Sequence, residues 1–309
     1  MTATIREVAH GLRFPEGPIA LPGGDLLLVE IARGTLSRVR PDGRVEVVAH
    51  TGGGPNGAAI GPDGHVYVCN NGGFDWIEMG DGRLRPGHQP RDYSGGRIER
   101  IDLASGRVEV LYTHGPHGPL RGPNDLVFDA DGGFWFTDLG KTRPRDLDYG
   151  AVYYAKADGS SIVEVVQPML TPNGIGLSPD GARLYVAETR AGRVWAWDIE
   201  GPGRLRKAPF PSPWGGTLLC AMSTYRLFDS LAVDSAGNVC VASLMEGGIT
   251  VIPPDAGAPS FVPMPDVYTT NLCFGGPDLR TAYVTLSTTG RLVAVDWPRP
   301  GAALNFLNR

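Results

Sequence analysis

The stretch FPEGPIALPGGDLLLVE, Phe14–Glu30, holds two apolar runs separated by Pro-Gly-Gly-Asp, with a carboxylate, Glu16, placed just before the first run. Short apolar runs flanking a turn cluster read as a β-hairpin. A charge where a strand should be entering a core is costly unless something compensates it. Its meaning depends on whether the rest of the chain repeats it.

It does. Five further segments align beneath the first: GPNGAAIGPDGHVYVCN (54–70), GPNDLVFDADGGFWFTD (122–138), TPNGIGLSPDGARLYVAE (171–188), FDSLAVDSAGNVCVAS (228–243) and TNLCFGGPDLRTAYVTLS (270–287). Each opens with a polar residue, continues as an apolar strand, turns, and returns as a second apolar strand. The opening residues are Glu16, Asn56, Asn124, Asn173, Asp229 and Asn271, spaced 40 to 68 residues apart. That period fits propeller blades with some long loops.

Further strands follow the hairpins, as in GTLSRVRPDGRVEVVAH after the first and GGRIERIDLASGRVEVLYT after the second. The last repeat lacks an outer strand, which ATIREVAH (3–10) near the N-terminus can supply, leaving no blade short of an edge partner. The fold class expected is all-β: one domain, residues 1–309, forming a six-bladed β-propeller of four-stranded antiparallel blades around a central channel.

A second set recurs 14 to 16 residues beyond the first, at the end of each second strand: Glu30, Asn70, Asp138, Glu188, Ser243 and Ser287. In an antiparallel hairpin, one strand's start and its partner's end lie together, so both sets open onto one face. The first set should ring the channel and the second should lie outside it.

Composition agrees. The 309 residues are 42% apolar, with 44 glycines and 27 prolines spread along the chain, which suits many turns and a sizeable core. The net charge of -5 carries no run of like charges, so no nucleic-acid partner is expected. No apolar run approaches membrane-spanning length, and MTATIREVAHGL lacks the apolar core of a leader, so a cytoplasmic protein is expected. Cys69, Cys220, Cys240 and Cys273 match no zinc or disulfide spacing and read as reduced, structural residues.

Singly, the ring residues mean little, because Asn-Gly is a strong turn signal. As a set, all six carry side-chain oxygens and two are carboxylates converging on one axis. Such carboxylates repel unless a positive charge lies between them. Oxygen donors without His or Cys favour a hard divalent cation such as calcium or magnesium over zinc or copper. No histidine falls in either ring; the His114–His117 loop leaves a histidine mechanism as a minor alternative.

Together these motifs resemble the senescence marker protein, gluconolactonase and luciferin-regenerating enzyme family of six-bladed propeller hydrolases. The likeness spans nearly the whole chain and is carried by PEGP around Glu16, GPNDLVFDADGGFWFTD, TPNGIGLSPDGARLYVAET and FDSLAVDSAGNVCVAS. It implies one divalent cation, calcium first, with magnesium, manganese or zinc behind it, held by Glu16, Asn173 and Asp229. It places Asn124 beside the ion as a ligand or a substrate contact. Arg121 lies near the substrate-binding Arg of sugar-lactonase members, but one residue further from the Asn.

The reaction expected is hydrolysis of a small lactone, with Asp229 as general base or, in a variant reading, nucleophile. Arg121, Asn56, Asn271, Asp138 and Glu188 are candidate substrate contacts. Asp138 and Glu188 are also reserve bases, with loop anchoring as their alternative role. The loops 74–95, 141–150 and 211–228, with Trp76, His88, Tyr93, Trp214, Met222 and Tyr225, should set specificity. Competing readings are a phosphotriesterase or other esterase on the same site, and a non-catalytic binding platform.

Overall fold

The computed structural model describes residues 4–309. Its strands form six antiparallel sheets arranged as the blades of a propeller. The innermost strands are Pro15–Ala20, Pro55–Ile60, Pro123–Phe128, Pro172–Leu177, Leu227–Val233 and Thr269–Gly275. Each pairs with a second strand, the first of these being Leu26–Glu30.

The second strands are apolar almost throughout because both of their faces are covered. In Leu26–Glu30, Leu27 and Val29 pack toward Val66 and Val68 of the second blade. Leu26 and Leu28 point the other way, toward Cys273 and Leu292 of the sixth. A strand's period of two thus serves two interfaces at once. In the third blade, Phe134 and Phe136 pack on Tyr67, and Trp135 packs on Val186 and Trp195 of the fourth. The core therefore consists of six inter-blade layers, not one central mass, and the axis is left open.

Ile5–Ala9 pairs antiparallel with Arg291–Asp296 and completes the sixth blade, so the chain's first described strand closes the ring. Ala3, also expected in that strand, lies outside the described residues. Two details differ from the sequence reading. Thr217–Ala221, expected as loop, is the fourth strand of the fourth blade, paired with Arg193–Gly201. The long insertion after the second blade's second strand carries its own hairpin, Trp76–Glu78 with Leu84–Pro86.

The end of the channel away from the inner-strand starts is covered by the C-terminal segment. Ala302 N–H donates to Val233 O (2.9 Å), Asn305 Nδ2 to Phe128 O (2.9 Å) and Arg309 Nη2 to Pro179 O (2.6 Å). Beneath this cover lies a cavity of about 120 Å³ lined by Ile19, Ile60, Phe128, Ile175, Leu231 and Phe274. Among the described residues no helix is long and apolar enough to cross a membrane.

A candidate metal centre at the channel mouth

All six inner strands carry a register shift in the same place. The irregularities fall between Glu16 and Ile19, Pro55 and Ala58, Pro123 and Leu126, Pro172 and Ile175, Phe228 and Leu231, and Thr269 and Asn271. A bulge bends its strand and re-aims the side chain it carries. Each one coincides with a residue of the first polar set. Glu16, Asn56, Asn124, Asn173 and Asn271 are buried there, and Asp229 is half-buried.

Glycine allows the blades to close around this ring. A Cβ on Gly17, whose φ is +52°, would lie 2.6 Å from Asn56 O. One on Gly57 would meet Asn124 O and the Asp125 carboxylate at 2.6 Å, and one on Gly174 would meet Asp229 O at 2.7 Å. The Pro-Glu-Gly and Pro-Asn-Gly signatures are therefore close-approach sites between neighbouring inner strands, where a larger residue would not fit.

Glu16 Oε2 accepts from Asn271 Nδ2 (2.7 Å) and Gly17 N–H (2.6 Å). No bond reaches its Oε1 among the described residues. Asn173 Nδ2 donates to Thr189 Oγ1 (3.0 Å), which turns the Asn173 Oδ1 toward Ser230 Oγ, 3.5 Å away. Asn124 Oδ1 is buried with no partner at all.

Three carboxylates share this space, and among the described residues no Lys, Arg or His pairs with any of them. Burial pushes the Glu16 carboxyl well above its usual range, with the Asp229 charge adding to it and the bonds from Asn271 and Gly17 opposing. Burial likewise raises Asp229 to about 7, opposed by a hydrogen bond from Asn173 and reinforced by Asp125. Asp125, also raised to about 7 by burial, accepts from Leu126 N–H (2.9 Å).

Sequence reasoning passed over Asp125, yet the repeat marks it, because it stands where Gly17, Gly57 and Gly174 stand in other blades. Among the described residues no three His, Cys, Asp or Glu side chains converge as a ligand cluster of their own. A cation here would have to take amide oxygens as well. An unpartnered amide oxygen, a free carboxylate oxygen and uncompensated acids fit a hard divalent ion.

The second polar set has a different task. Asp138 accepts from the N–H groups of Arg121 (2.7 Å), Gly122 (2.6 Å) and Gly140 (2.9 Å). Glu188 takes Leu170 N–H (3.0 Å) and Trp195 Nε1 (2.7 Å). Glu30 takes Arg13 N–H (2.8 Å), and Asn70 Oδ1 takes Gly54 N–H (2.9 Å). In these four blades the strand-end oxygen holds the backbone just ahead of the inner-strand proline. The arrangement brings none of these four to the axis; it spends their polar atoms on loop anchoring. Arg121 is exposed, fixed through its backbone, which also accepts from Tyr93 Oη (2.5 Å).

The loops distribute unevenly. Trp214 packs against Trp195 inside the fourth blade and not over the site, whereas Tyr225 is 77% exposed. The insertion is tied down by Lys141, a buried side chain donating to Asn71 O (3.0 Å) and Gly73 O, with its ammonium 4.1 Å from the Phe74 ring centroid. His114 and His117 lie in and beside a small outer hairpin, and His117 Nε2 is 4.0 Å from Glu164. All four cysteines are free and buried.

The fold and the ring together define a six-bladed propeller with an oxygen-lined channel mouth. Residues 14–288 match the SMP-30/Gluconolactonase/LRE-like region, and the chain belongs to that family. It is 30% identical over 230 residues to "Lactonase drp35" of Staphylococcus saprophyticus, covering 74% of this chain and 63% of that protein. The chain thus spans a little under two thirds of that relative. It is 24% identical to the gluconolactonase of Zymomonas mobilis, over 89% of this chain and 77% of the other. The crystal structure of a calcium-binding protein, regucalcin, from Agrobacterium tumefaciens superposes with a TM-score of 0.73. The identity is 18%, covering 98% of this chain and 99% of that one, a likeness of fold alone.

Proposed function

We propose that the chain, acting as one propeller domain over residues 1–309, is a divalent-cation-dependent hydrolase that opens a small lactone. The observation that carries this reading is the buried, unpartnered Asn124 Oδ1 in a ring whose acids Glu16, Asp125 and Asp229 feel one another's charge and, among the described residues, pair with no Lys, Arg or His. The names of the curated relatives support the substrate class.

Glu16, Asn173, Asp229 and Asn124 would hold the ion, with calcium the first candidate given an all-oxygen set. When bound, such an ion polarises an ester carbonyl and stabilises the charge of the tetrahedral intermediate. Asp229, half-buried, takes the proton of the attacking water on its carboxylate. Burial raises its proton affinity in the ion-free protein, and a bound cation would lower it again, so that the carboxylate is ionised and able to accept a proton near neutral pH. Asn173 and Ser230 orient that carboxylate. Asn271 fixes Glu16, leaving one Glu16 oxygen for the ion. Asn56 offers its amide group to the substrate, Asn271 is taken up by Glu16 and the Leu272 N–H, and Arg121 stands outside them. The partner is a small ester, not nucleic acid or membrane, and the free cysteines support a cytoplasmic setting.

The test is chelation followed by metal add-back against lactones, aryl esters and phosphotriesters. The reading expects lactone opening that chelation abolishes and calcium restores. Turnover that survives chelation, or a preference for phosphotriesters, would contradict it.

A further inference from the structure

Four aromatic rings from three separate parts of the chain meet on the face where the inner strands begin. Phe74 and Trp76 lie in the insertion of the second blade, Phe14 precedes Pro15 and Glu16, and Tyr268 precedes the strand bearing Asn271. The rings run in sequence: Phe74 to Trp76 at 6.1 Å, Trp76 to Phe14 at 5.1 Å, Phe14 to Tyr268 at 5.9 Å between centroids. They follow the mouth from Lys141 of the third blade, across the second and first, to the sixth.

Phe14 is buried at the centre of this arc, while Phe74, Trp76 and Tyr268 each keep part of their surface open. The rings close over Ile31 and Leu84, which anchors the insertion, and the outer surfaces of Phe74, Trp76 and Tyr268 remain partly open. Phe14 stands two residues before Glu16 and Tyr268 three before Asn271, at the starts of the strands that carry those ring residues.

The arc is also held rigidly. Leu84 N–H donates to Thr288 O (3.3 Å) and Gln89 N–H to Thr142 O (2.8 Å), so the insertion is fastened to the sixth and third blades. Lys141 clamps its start. Phe14 holds a φ of +59°, a left-handed conformation that non-glycine residues adopt rarely and at a cost. That strain sits two residues from Glu16 and sets the ring against Trp76. A preformed apolar wall binds without the cost of ordering loops.

We propose that this arc receives the apolar ring or alkyl chain of the substrate, so that the preferred lactones are hydrophobic and not sugar-derived, with Trp76 as the residue that determines this. The proposal rests on the lactone-opening reading and names its substrate class. A polyhydroxylated lactone would leave its hydroxyl groups unpaired against these rings.

The test is kcat/KM for γ-undecalactone, δ-valerolactone and glucono-δ-lactone, measured with the calcium-loaded wild type and with Trp76→Ala and Trp76→Phe. The wild type is expected to prefer γ-undecalactone. Trp76→Ala should lower kcat/KM for it about tenfold or more, mainly through KM, and change δ-valerolactone less than twofold; Trp76→Phe should restore most of the loss. Calcium affinity and Tm report whether the site and fold remain intact. Lactone opening with a preference for glucono-δ-lactone, or equal effects of Trp76→Ala on all three, overturns the arc's role and leaves the general reading standing. No lactone opening by a calcium-loaded wild type overturns both.

Discussion

Asn271 of the sixth blade donates through Nδ2 to Oε2 of Glu16 in the first, 2.7 Å apart, across 255 residues of sequence. The ring of oxygens is therefore closed between the same two blades at which Ile5–Ala9 closes the propeller. The bond occupies one carboxylate oxygen and orients the other. Replacing Asn271 with leucine should leave Glu16 a stronger proton holder and lower calcium affinity by about tenfold, the worth of roughly one charge-assisted hydrogen bond. Calorimetric titration of the stripped protein at pH 7.5 measures it.

The buried acids make the ion-free protein sensitive to pH in an unusual direction. Asp125 and Asp229 move from the ordinary aspartate value of 3.8 to about 7 on folding. The native state therefore binds more protons than the unfolded chain between those values. Stability from these groups is complete below 3.8 and is lost as pH rises through 7. Glu99, Asp129 and Asp138, also raised chiefly by burial, act with the same sign. Chelated protein should show a falling Tm from pH 5 to pH 8. Added calcium should flatten that fall, because a cation favours the ionised acids.

Asp125→Asn removes one of three mutually repelling charges while keeping an oxygen for Leu126 N–H. In chelator at pH 8 its Tm should exceed that of the wild type, by about 2–4 °C for each kcal/mol of repulsion relieved. Calcium affinity should fall in the same variant. Opposite signs for stability and binding distinguish a crowded acid from a structural one, and differential scanning calorimetry with and without calcium reads both.

Gly174→Ala places a Cβ 2.6 Å from Leu231 N and 2.7 Å from Asp229 O. Relief requires the fourth and fifth inner strands to part, at about 1–3 kcal/mol or more, and Asp229 moves with them. Tm and calcium affinity should drop together. Gly23→Ala, which meets nothing within 4 Å, is the control and should change neither.

Deleting Ala302–Arg309 removes the cover at the far end of the channel, including the Phe306 edge contact on Phe128 (6.0 Å). The apolar cavity beneath would then face water, and the shortened protein should bind a hydrophobic fluorophore that the full chain does not. A variant that stays dark would show that the channel is sealed by something other than the tail.

Much of this was legible in the sequence. The six repeats, the ring residues and the N-terminal closing strand all follow from apolar runs and turns recurring at a fixed offset, because every blade solves one packing problem. What could not be read is what depends on neighbours far along the chain. Asp138 and Glu188 look like site carboxylates, yet their oxygens are taken by N–H groups of the loop ahead of their own inner strands, a pairing spacing alone does not reveal. Thr217–Ala221 hides as a strand because a long proline- and glycine-rich excursion separates it from its partner. Asp125 was masked by its neighbour Asn124, and the arc of Phe14, Trp76 and Tyr268 is assembled only when three blades meet.

The most direct test of the central claim is a calcium titration of chelator-stripped protein, followed at once by heat of binding and by the rate of lactone opening, for the wild type and Asp229→Asn. The account predicts one site per chain, a rate that rises in step with its occupancy, and a loss of about 100-fold or more for Asp229→Asn, within the range for a general base. A rate independent of calcium, or an Asp229→Asn protein as active as the wild type, would contradict it.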